Sequence, residues 1–553
     1  MLAKLLSKEN NLFFLIFVFI LIVTIIGLPL DLLEPDATLY ASISKLMAEN
    51  NDFINLYSLG NDWLDKPHLP FWLTAVSYKI FGVTNFAYKL PGVLIFFFGI
   101  YTTYKFTKNN YNTKTGIYAA IILATATHSI ISNFDVRAEA YLTAFMISSL
   151  YYFDVYLKNK RIKYLIFACL FSAFAIMTKG IFAMIPIVAA LGGELLLKRK
   201  WNEILNPIWL LATLLIFIFI LPELYTLYVQ FDMHPEKLVF GKHNVSGLKF
   251  FFWDSQFGRF FNTGPIKGTG DKTFFLHTIL WAFLPFGILF YIATFSKVKR
   301  NLKKVIQKEE FYSLFGCLSA IFIFSLSKFQ LAHYTNIVFP FMAIIVADFI
   351  DKLSKNKNSY TKGYAVILWF QNVVAILLIG FLFYVMQPEF NFLFLVVLAF
   401  SIFIFWGIYK SENNSIQKLF LVSTVLFLNI YTFLFTFFYP TILPYQGGVN
   451  AARFVNKNYE GKGSLLKKIN RHFAFEYYLK GNFKRIDTLK IHQEKGRIFY
   501  IDSKELNIFK RQNVNFKIIK EIENFHVSRI NNKFLNKDTR KETLQIRYLV
   551  EVQ

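Results

Sequence analysis

Apolar runs of about 20 residues, the length that crosses a hydrocarbon core, recur along the chain with short polar connections between them. The first run, 11–30, follows Lys4 and Lys8, and no small-residue cleavage site comes after it. It reads as a retained span and not as a removed signal peptide. Further runs lie near 86–106, 116–132, 140–157, 164–178, 180–197 and 208–229. Others follow near 273–295, 311–326, 334–350, 364–386, 390–409 and 419–439. By length they make about thirteen spans. Alternate connections are basic: KFTKNNYNTK, LKNKRIK, LKRK, SKVKRNLKK and DKLSKNKNSYTK. QPEF near Pro388, which falls on the other side, is not. Lys and Arg collect in cytoplasmic loops, so the N-terminus is expected in the cytoplasm and the C-terminus outside.

Two connections on the expected outer side are long, 33–72 and 230–272. The first opens on Pro35-Asp36, a helix-start signal. Leu39, Ile43, Leu46 and Met47 follow at helical spacing, with Ser42, Lys45 and Glu49 off that stripe. This pattern predicts an amphipathic helix lying along the membrane surface. The stretch 69–82 is apolar but short for a span and carries Trp72 and Tyr78, so it is expected in the interface too. After about residue 440 the pattern changes. Turn signals alternate with the β-rich runs RIFYID, NFKII and LQIRYLV, while HFAFEYYLK and SKELNIFKRQ look helical. The expected architecture is an α-helical polytopic membrane unit, 1–439, with amphipathic interfacial helices and a small extracytoplasmic α/β domain, 440–553.

Composition agrees with the membrane class. Hydrophobic residues make up 55% of the chain, against about 45–50% in soluble proteins even with Gly counted. The net charge of +25 would suggest nucleic acid for a soluble chain. Here it goes to cytoplasmic loops and to anionic lipid or lipid-linked phosphate; membrane lipids are expected partners and nucleic acid is not. Cys169 and Cys317 each sit inside an apolar run and offer neither metal spacing nor a disulfide framework. No His/Asp/Glu set has convincing metal-ligand spacing, so no metal site or cofactor is identified and a metal requirement stays open.

Polar side chains gather at the expected outer ends of spans. Asp36 is either a helix cap or part of a site. Asp65 and Lys66, in an Asp-Lys-Pro turn, are either solvated or part of that site. In NFDVRAE, Asp135 and Glu139 are spaced i, i+4, so a helix puts both on one face, with Arg137 pointing elsewhere. Lys179, in MTKG, is either a snorkelling interfacial lysine or a member of the cluster. Arg259 lies among aromatics in FFWDSQFGRFFNTGP, and its planar fork suits a phosphate. SLSKFQLAHY adds Lys328, Gln330, His333 and Tyr334. A charge at mid-bilayer costs roughly 2.5–3.5 kcal/mol on insertion scales, and the spans are nearly clean. Chemistry at the outer boundary is therefore favoured over a route through the membrane.

EPDATLYA near Glu34, DKP at Asp65, TKG at Thr178, FGRF near Arg259 and SKFQLAHY near Lys328 occur in a matching order. With them the chain resembles the lipid-A aminoarabinose transferases and the wider polyprenyl- or dolichyl-phosphate-mannose protein mannosyltransferases. These are GT-C membrane glycosyltransferases, and the resemblance covers roughly 12–350. It implies transfer of one sugar from a polyprenyl phosphate to an extracytoplasmic acceptor, such as lipid A or a protein hydroxyl, with inversion. It places Asp36 near the reacting sugar, with Glu139 or its rival Asp135 as second carboxylate. It puts Lys66 and Arg259 on the lipid-linked phosphate, with Lys328 of the remaining outer-end motif as a third donor-phosphate group, and Tyr40, Asp65, Tyr334 and His333 around the substrate. It implies no cofactor beyond the lipid-linked substrate, a bacterial inner-membrane location and a monomer. Where aminoarabinose transferases favour Arg-Tyr-Ala, this chain reads Leu39-Tyr40-Ala41, which leaves the sugar open among aminoarabinose, mannose and their relatives. A lipid-linked sugar flippase is the alternative. It would carry inverted repeats and charges within spans.

Overall fold

The computed structural model describes residues 9–301, 309–355, 359–466, 472–481 and 483–553. Lys4 and Lys8, which set the expected orientation of the N-terminus, lie outside them, as do parts of two basic connections. Helices α1 (Glu9–Gly27), α2 (Asp36–Asn50), α3 (Leu69–Phe81), α4 (Asn85–Asn110), α5 (Thr113–Thr125), α6 (Thr127–Asp135), α7 (Ala138–Asn159) and α8 (Ile162–Lys179) open the chain. Among the described residues, seven helices are long and apolar enough to cross a membrane, or nine if each of two bent pairs is one span. The chain is a multi-pass membrane protein.

The expected count of about thirteen is not reached by that measure, and burial explains part of the difference. Helix α7 and the helix Phe339–Lys355 stand where two spans were expected, but most of their residues are buried against other helices. Polar residues such as Ser148 and Ser149 in α7 face protein, so the helix need not be uniformly apolar. Ile181–Leu197 and Tyr312–Leu326 are apolar but shorter. Helices α5 and α6 meet at 53°, and Phe274–Ala282 meets Gly287–Arg300 at 118° across a break that holds Pro285.

The spans are also less clean than they read. Lys89 in α4, Asp154 in α7 and Glu223 in the helix Ile208–Leu227 are buried. Each is engaged locally, as a buried charge requires. Lys89 donates to the carbonyls of Gly27 and Leu30 at 2.9 and 2.8 Å. Asp154 accepts from Lys158 at 2.8 Å. Glu223 holds His68. Lys89 and Glu223 thereby tie separate elements together.

Helix α2 departs from expectation in two ways. Asp36 does not cap it: the N-cap position is Pro35, with no side-chain cap bond. Nor is its polar face free. Ser42 is buried, and Lys45 donates to the carbonyls of Glu476, Tyr477 and Leu479 at 3.3, 3.1 and 2.6 Å. Those carbonyls end the helix Phe473–Tyr478, where a cation is favoured by the helix dipole. Glu34, just before α2, accepts the backbone N–H of Ala474 at 2.9 Å. Helix α2 is therefore clasped between α3 and the C-terminal region.

That region holds a five-stranded sheet, β3 (Gly463–Leu466), β4 (Lys484–Ile486), β5 (Ile498–Ile501), β6 (Phe516–Asn524) and β7 (Gln545–Val552), in the order β4-β3-β5-β7-β6, after a hairpin of two-residue strands, β1 (Tyr57–Ser58) and β2 (Asn61–Asp62), in the first long loop. Strands β5 (Ile498–Ile501), β6 (Phe516–Asn524) and β7 (Gln545–Val552) are antiparallel neighbours and fall on the three β-rich runs. The helices Phe473–Tyr478 and Ser503–Arg511 fall on the two expected helical runs. Strands β3 (Gly463–Leu466) and β4 (Lys484–Ile486), joined in parallel, were not foreseen.

Candidate functional site

The Asp65-Lys66-Pro67 turn is anchored from below. The carboxylate of Glu223 accepts the His68 backbone N–H at 2.9 Å and meets its Nδ1 at 3.1 Å, while His68 Nε2 reaches the carbonyl of Ile54 at 3.0 Å. The two contacts to Glu223 are buried, and an unmade bond there would cost more than a surface one. The turn thus holds its two charged residues in a fixed place.

Asp65 sits between two cations. Lys66 Nζ lies 2.7 Å from Oδ2, and Arg259 donates to Oδ1. Burial raises the Asp65 pKa, but the charges of Lys66 and Arg259 outweigh it and hold the carboxyl well below the usual range. Burial lowers the Lys66 ammonium to about 8; Asp65 opposes that, while Arg259 and Lys179 add to it. The Arg259 guanidinium stacks 5.5 Å from the Phe329 ring. Its buried Nε has no hydrogen-bond partner among the described residues.

A second node joins Glu139 to Lys179. The Lys179 ammonium lies 4.3 Å above the Tyr334 ring, and His333 Nε2 is 3.7 Å from Glu139. Burial lowers the His333 pKa well below its ordinary value, against the pull of Glu139. In the third node Arg137 Nη1 reaches Asp36 and Arg137 Nε reaches Asp135, both at 2.7 Å.

This third node corrects the reading of NFDVRAE. No single helix carries Asp135 and Glu139. Helix α6 ends at Asp135, Val136 takes a left-handed φ of 44°, and α7 begins at Ala138. The break turns Arg137, expected to point away, toward both aspartates and sends Glu139 to Lys179 instead.

Gly180 shows how local sequence sets the second node. Its φ is +94°, which glycine adopts without steric cost. Gln256 occupies the space where a Cβ would stand, donating to the Lys179 carbonyl at 3.1 Å and accepting from Phe182 N–H at 3.3 Å. Gly180→Ala should therefore destabilise the protein by about 1–3 kcal/mol, visible as a lower Tm in detergent. An unchanged Tm would contradict this reading.

Two cavities meet at these nodes. One is mainly apolar, walled by Leu142, Phe182, Leu227, Phe250, Phe251 and their neighbours. The other is polar and reaches Asp36, Tyr40, Arg137 and His333. Asp65, Lys66, Glu139, Lys179, Arg259 and Tyr334 line both. Asp36 and Arg259, far apart in sequence, thus face one space. Asp135 lines an adjoining cavity. Lys328 does not join the cluster. Its side chain is exposed and lines neither cavity. Sequence reasoning quoted Lys179 and Arg137 without giving either a partner, and it passed over His68 and Glu223 altogether.

Residues 65–225 match the family model described as dolichyl-phosphate-mannose-protein mannosyltransferase. An uncharacterised protein of Aquifex aeolicus is 27% identical over 353 residues, 63% of this chain and 65% of that one. An undecaprenyl phosphate-alpha-4-amino-4-deoxy-L-arabinose arabinosyl transferase of Aeromonas hydrophila is 24% identical over 370 residues, 63% of this chain and 62% of that one. The match thus spans a little under two thirds of either relative. In three dimensions the chain is similar to ArnT from Cupriavidus metallidurans bound to undecaprenyl phosphate, with a TM-score of 0.74 at 15% identity over 93% of this chain and 97% of that one. The apo form of the same protein gives 0.73 at 14% identity over 97% of both chains.

Proposed function

We propose that this chain, a GT-C-fold relative of the aminoarabinose and protein mannosyl transferases, moves one sugar from a polyprenyl phosphate to an acceptor at the outer membrane boundary. The observation that carries this reading is the seam between the two cavities. Lys66, Lys179 and Arg259 are held there between an apolar chamber suited to a lipid chain and a polar one suited to a sugar. The unpartnered Arg259 Nε is a buried donor of the kind an anion satisfies.

The charges fit the reaction. Lys66, Lys179 and Arg259 line both cavities against Asp65 and Glu139, one positive charge in excess at the seam, while Arg137 is matched by Asp36 and Asp135. A lipid-linked sugar phosphate carries one negative charge, and a second develops on the phosphate as the sugar leaves. Fixed cations aimed at that oxygen stabilise the transition state more than the ground state. The leaving group then needs no separate acid.

Asp36 takes the role of general base toward an acceptor hydroxyl, and direct displacement inverts the anomeric carbon. Glu139 and Asp135 orient Lys179 and Arg137. Asp65 sets the angle between Lys66 and Arg259, while Tyr40, His333 and Tyr334 wall the sugar. Lys328, outside both cavities, is left out of the donor site. The catalytic unit is residues 1–439, and 440–553 form a soluble domain over it. The N-terminus faces the cytoplasm of a bacterial inner membrane and the C-terminal domain the periplasm. The working unit is one chain. The flippase alternative finds no support in the comparisons: the named relatives are arabinosyl transferases.

Purified protein given labelled undecaprenyl-phosphate sugar and membranes carrying native acceptors should release undecaprenyl phosphate as the label moves to an acceptor. Donor that only changes leaflet, with its sugar attached, would contradict the proposal. A pH dependence follows from Lys66. Its ammonium, lowered to about 8, is needed to meet the donor phosphate. So kcat/KM for donor, which reports the free enzyme, should fall as pH rises through about 8. Lys66→Arg should move that limb to higher pH. A flat profile from pH 7 to 9 would remove Lys66 from the donor site.

A further inference from the structure

Outside both cavities, a groove opens between the helix Met184–Leu197 and the helix Ile208–Leu227. Ile187, Leu191 and Leu195 form one wall, and Trp209, Ala212 and Ile216 the other. Val188, 59% exposed, stands at its mouth. The span Trp201–Asp232 is the least buried of the seven found among the described residues; it rests on α8 and leaves this side open. The groove holds about 250 Å³, more than the roughly 150 Å³ apolar cavity that takes up benzene. The nitrogen and oxygen side-chain groups of its lining, Trp209 Nε1 and Thr213 Oγ1, are spent on the carbonyls of Glu203 at 2.7 Å and Trp209 at 2.9 Å. Such a groove, open to the bilayer and with no hydrogen bond to offer, takes hydrocarbon. Met184 at its inner end follows Ala183 of the donor's apolar chamber, so a donor tail is the rival occupant.

The rim at the other end decides between them. Lys198, Arg199 and Lys200 come directly after the helix that carries Leu195. Ile204, also in the lining, belongs to the short helix Trp201–Ile204, whose Glu203 pairs with Lys160. That pair brings the connection 160–163 to the same place. Lys198 is engaged by Glu194 and Lys160 by Glu203. Arg161, Lys163, Arg199 and Lys200 are exposed and have no carboxylate partner among the described residues. Trp201, 54% exposed, lies with them, and tryptophan favours the headgroup level. The helix Ile208–Leu227 has Trp209 near this rim and Glu223 beside His68 and the Asp-Lys-Pro turn. At about 1.5 Å per residue those two positions are roughly 21 Å apart. The four cations therefore sit at the leaflet opposite the donor phosphate.

We propose that the groove is a binding site for an anionic glycerophospholipid of that leaflet. One acyl chain lies between the two helices, and the headgroup phosphate meets Arg161, Lys163, Arg199 and Lys200. A polyprenyl tail running on from the donor would end here in hydrocarbon and leave the four cations without an anion. A zwitterionic lipid would bring a cation of its own to them. An anionic headgroup on an acyl chain satisfies rim and groove together. The site is separate from the transfer chemistry: none of its residues lines the polar cavity.

Full-length protein in detergent is titrated with dioleoylphosphatidylglycerol and, separately, with dioleoylphosphatidylcholine, and native mass spectrometry reads the bound fraction. The anionic lipid should bind about tenfold more tightly, the scale of one or two cations near a headgroup. Arg161→Gln, Lys163→Gln, Arg199→Gln and Lys200→Gln together should bring it down to the level of the zwitterionic one. Gly192→Phe tests the groove itself. Gly192 lines it, and a Cβ there meets nothing within 4 Å, so the ring takes the place of the acyl chain without disturbing the bundle. Binding of both lipids should be lost while the Tm holds. Equal binding of the two lipids to the parent, or phosphatidylglycerol binding undiminished by Gly192→Phe, would overturn the site. Displacement of phosphatidylglycerol by undecaprenyl phosphate would give the groove to the donor tail and overturn it as well.

Discussion

Asp36→Asn lowers transfer about a thousandfold, within the range of a lost general base, while folded protein and donor binding are kept. The substitution preserves shape and removes the charge that accepts a proton. Its structural cost is small. The Asp36–Arg137 pair is partly exposed, with side chains 42% and 28% accessible, and pairs of this kind contribute about 0–1 kcal/mol. A purely structural role would appear as a lower Tm with near-normal turnover. A catalytic role appears as a normal Tm with turnover lost. Labelled-donor assays beside a thermal melt separate the two, and retained turnover would remove Asp36 from the reaction.

The second large effect is expected at Arg259. Arg259→Ala should lower kcat about 10²–10³-fold, the usual cost of one group that stabilises charge developing in the transition state. The fold should survive, because Asp65 keeps Lys66 as partner. Donor KM should rise less than kcat falls, since negative charge on the phosphate grows during the reaction. Arg259→Lys should recover only part of the loss. An ammonium restores a point charge but not the fork, and it does not stack on Phe329 as a guanidinium does. Equal rates for Arg259→Ala and the parent would exclude Arg259 from the donor site.

Much of the site was legible because its residues interrupt an apolar pattern. Lys66, Asp65 and Arg259 stand out as charges at the ends of greasy segments, and the structure brings them into one contact set. Arg137 was misread for a specific reason. The i, i+4 spacing of Asp135 and Glu139 assumes an unbroken helix, and nothing in Phe-Asp-Val-Arg announces a break. Val136 is a β-branched residue in a left-handed conformation, where such residues are rare. Only tertiary packing holds it there. Lys179 was visible in its motif, but its partner Glu139 is 40 positions away and no local signal joins them. The polar face of α2 read as facing solvent because Lys45 and Ser42 do face polar groups. Those groups are backbone carbonyls of the C-terminal region, which sequence periodicity cannot distinguish from water. Strands β3 and β4 have four and three residues, too short for an alternating pattern to register.

A structure of the protein with polyprenyl phosphate bound would test the central claim most directly. The account predicts phosphate density at the seam of the two cavities, within hydrogen-bond reach of Lys66 Nζ and Arg259 Nε, with the lipid chain in the apolar chamber. Phosphate density elsewhere, with Arg259 Nε still unpartnered beside Asp65, would contradict it.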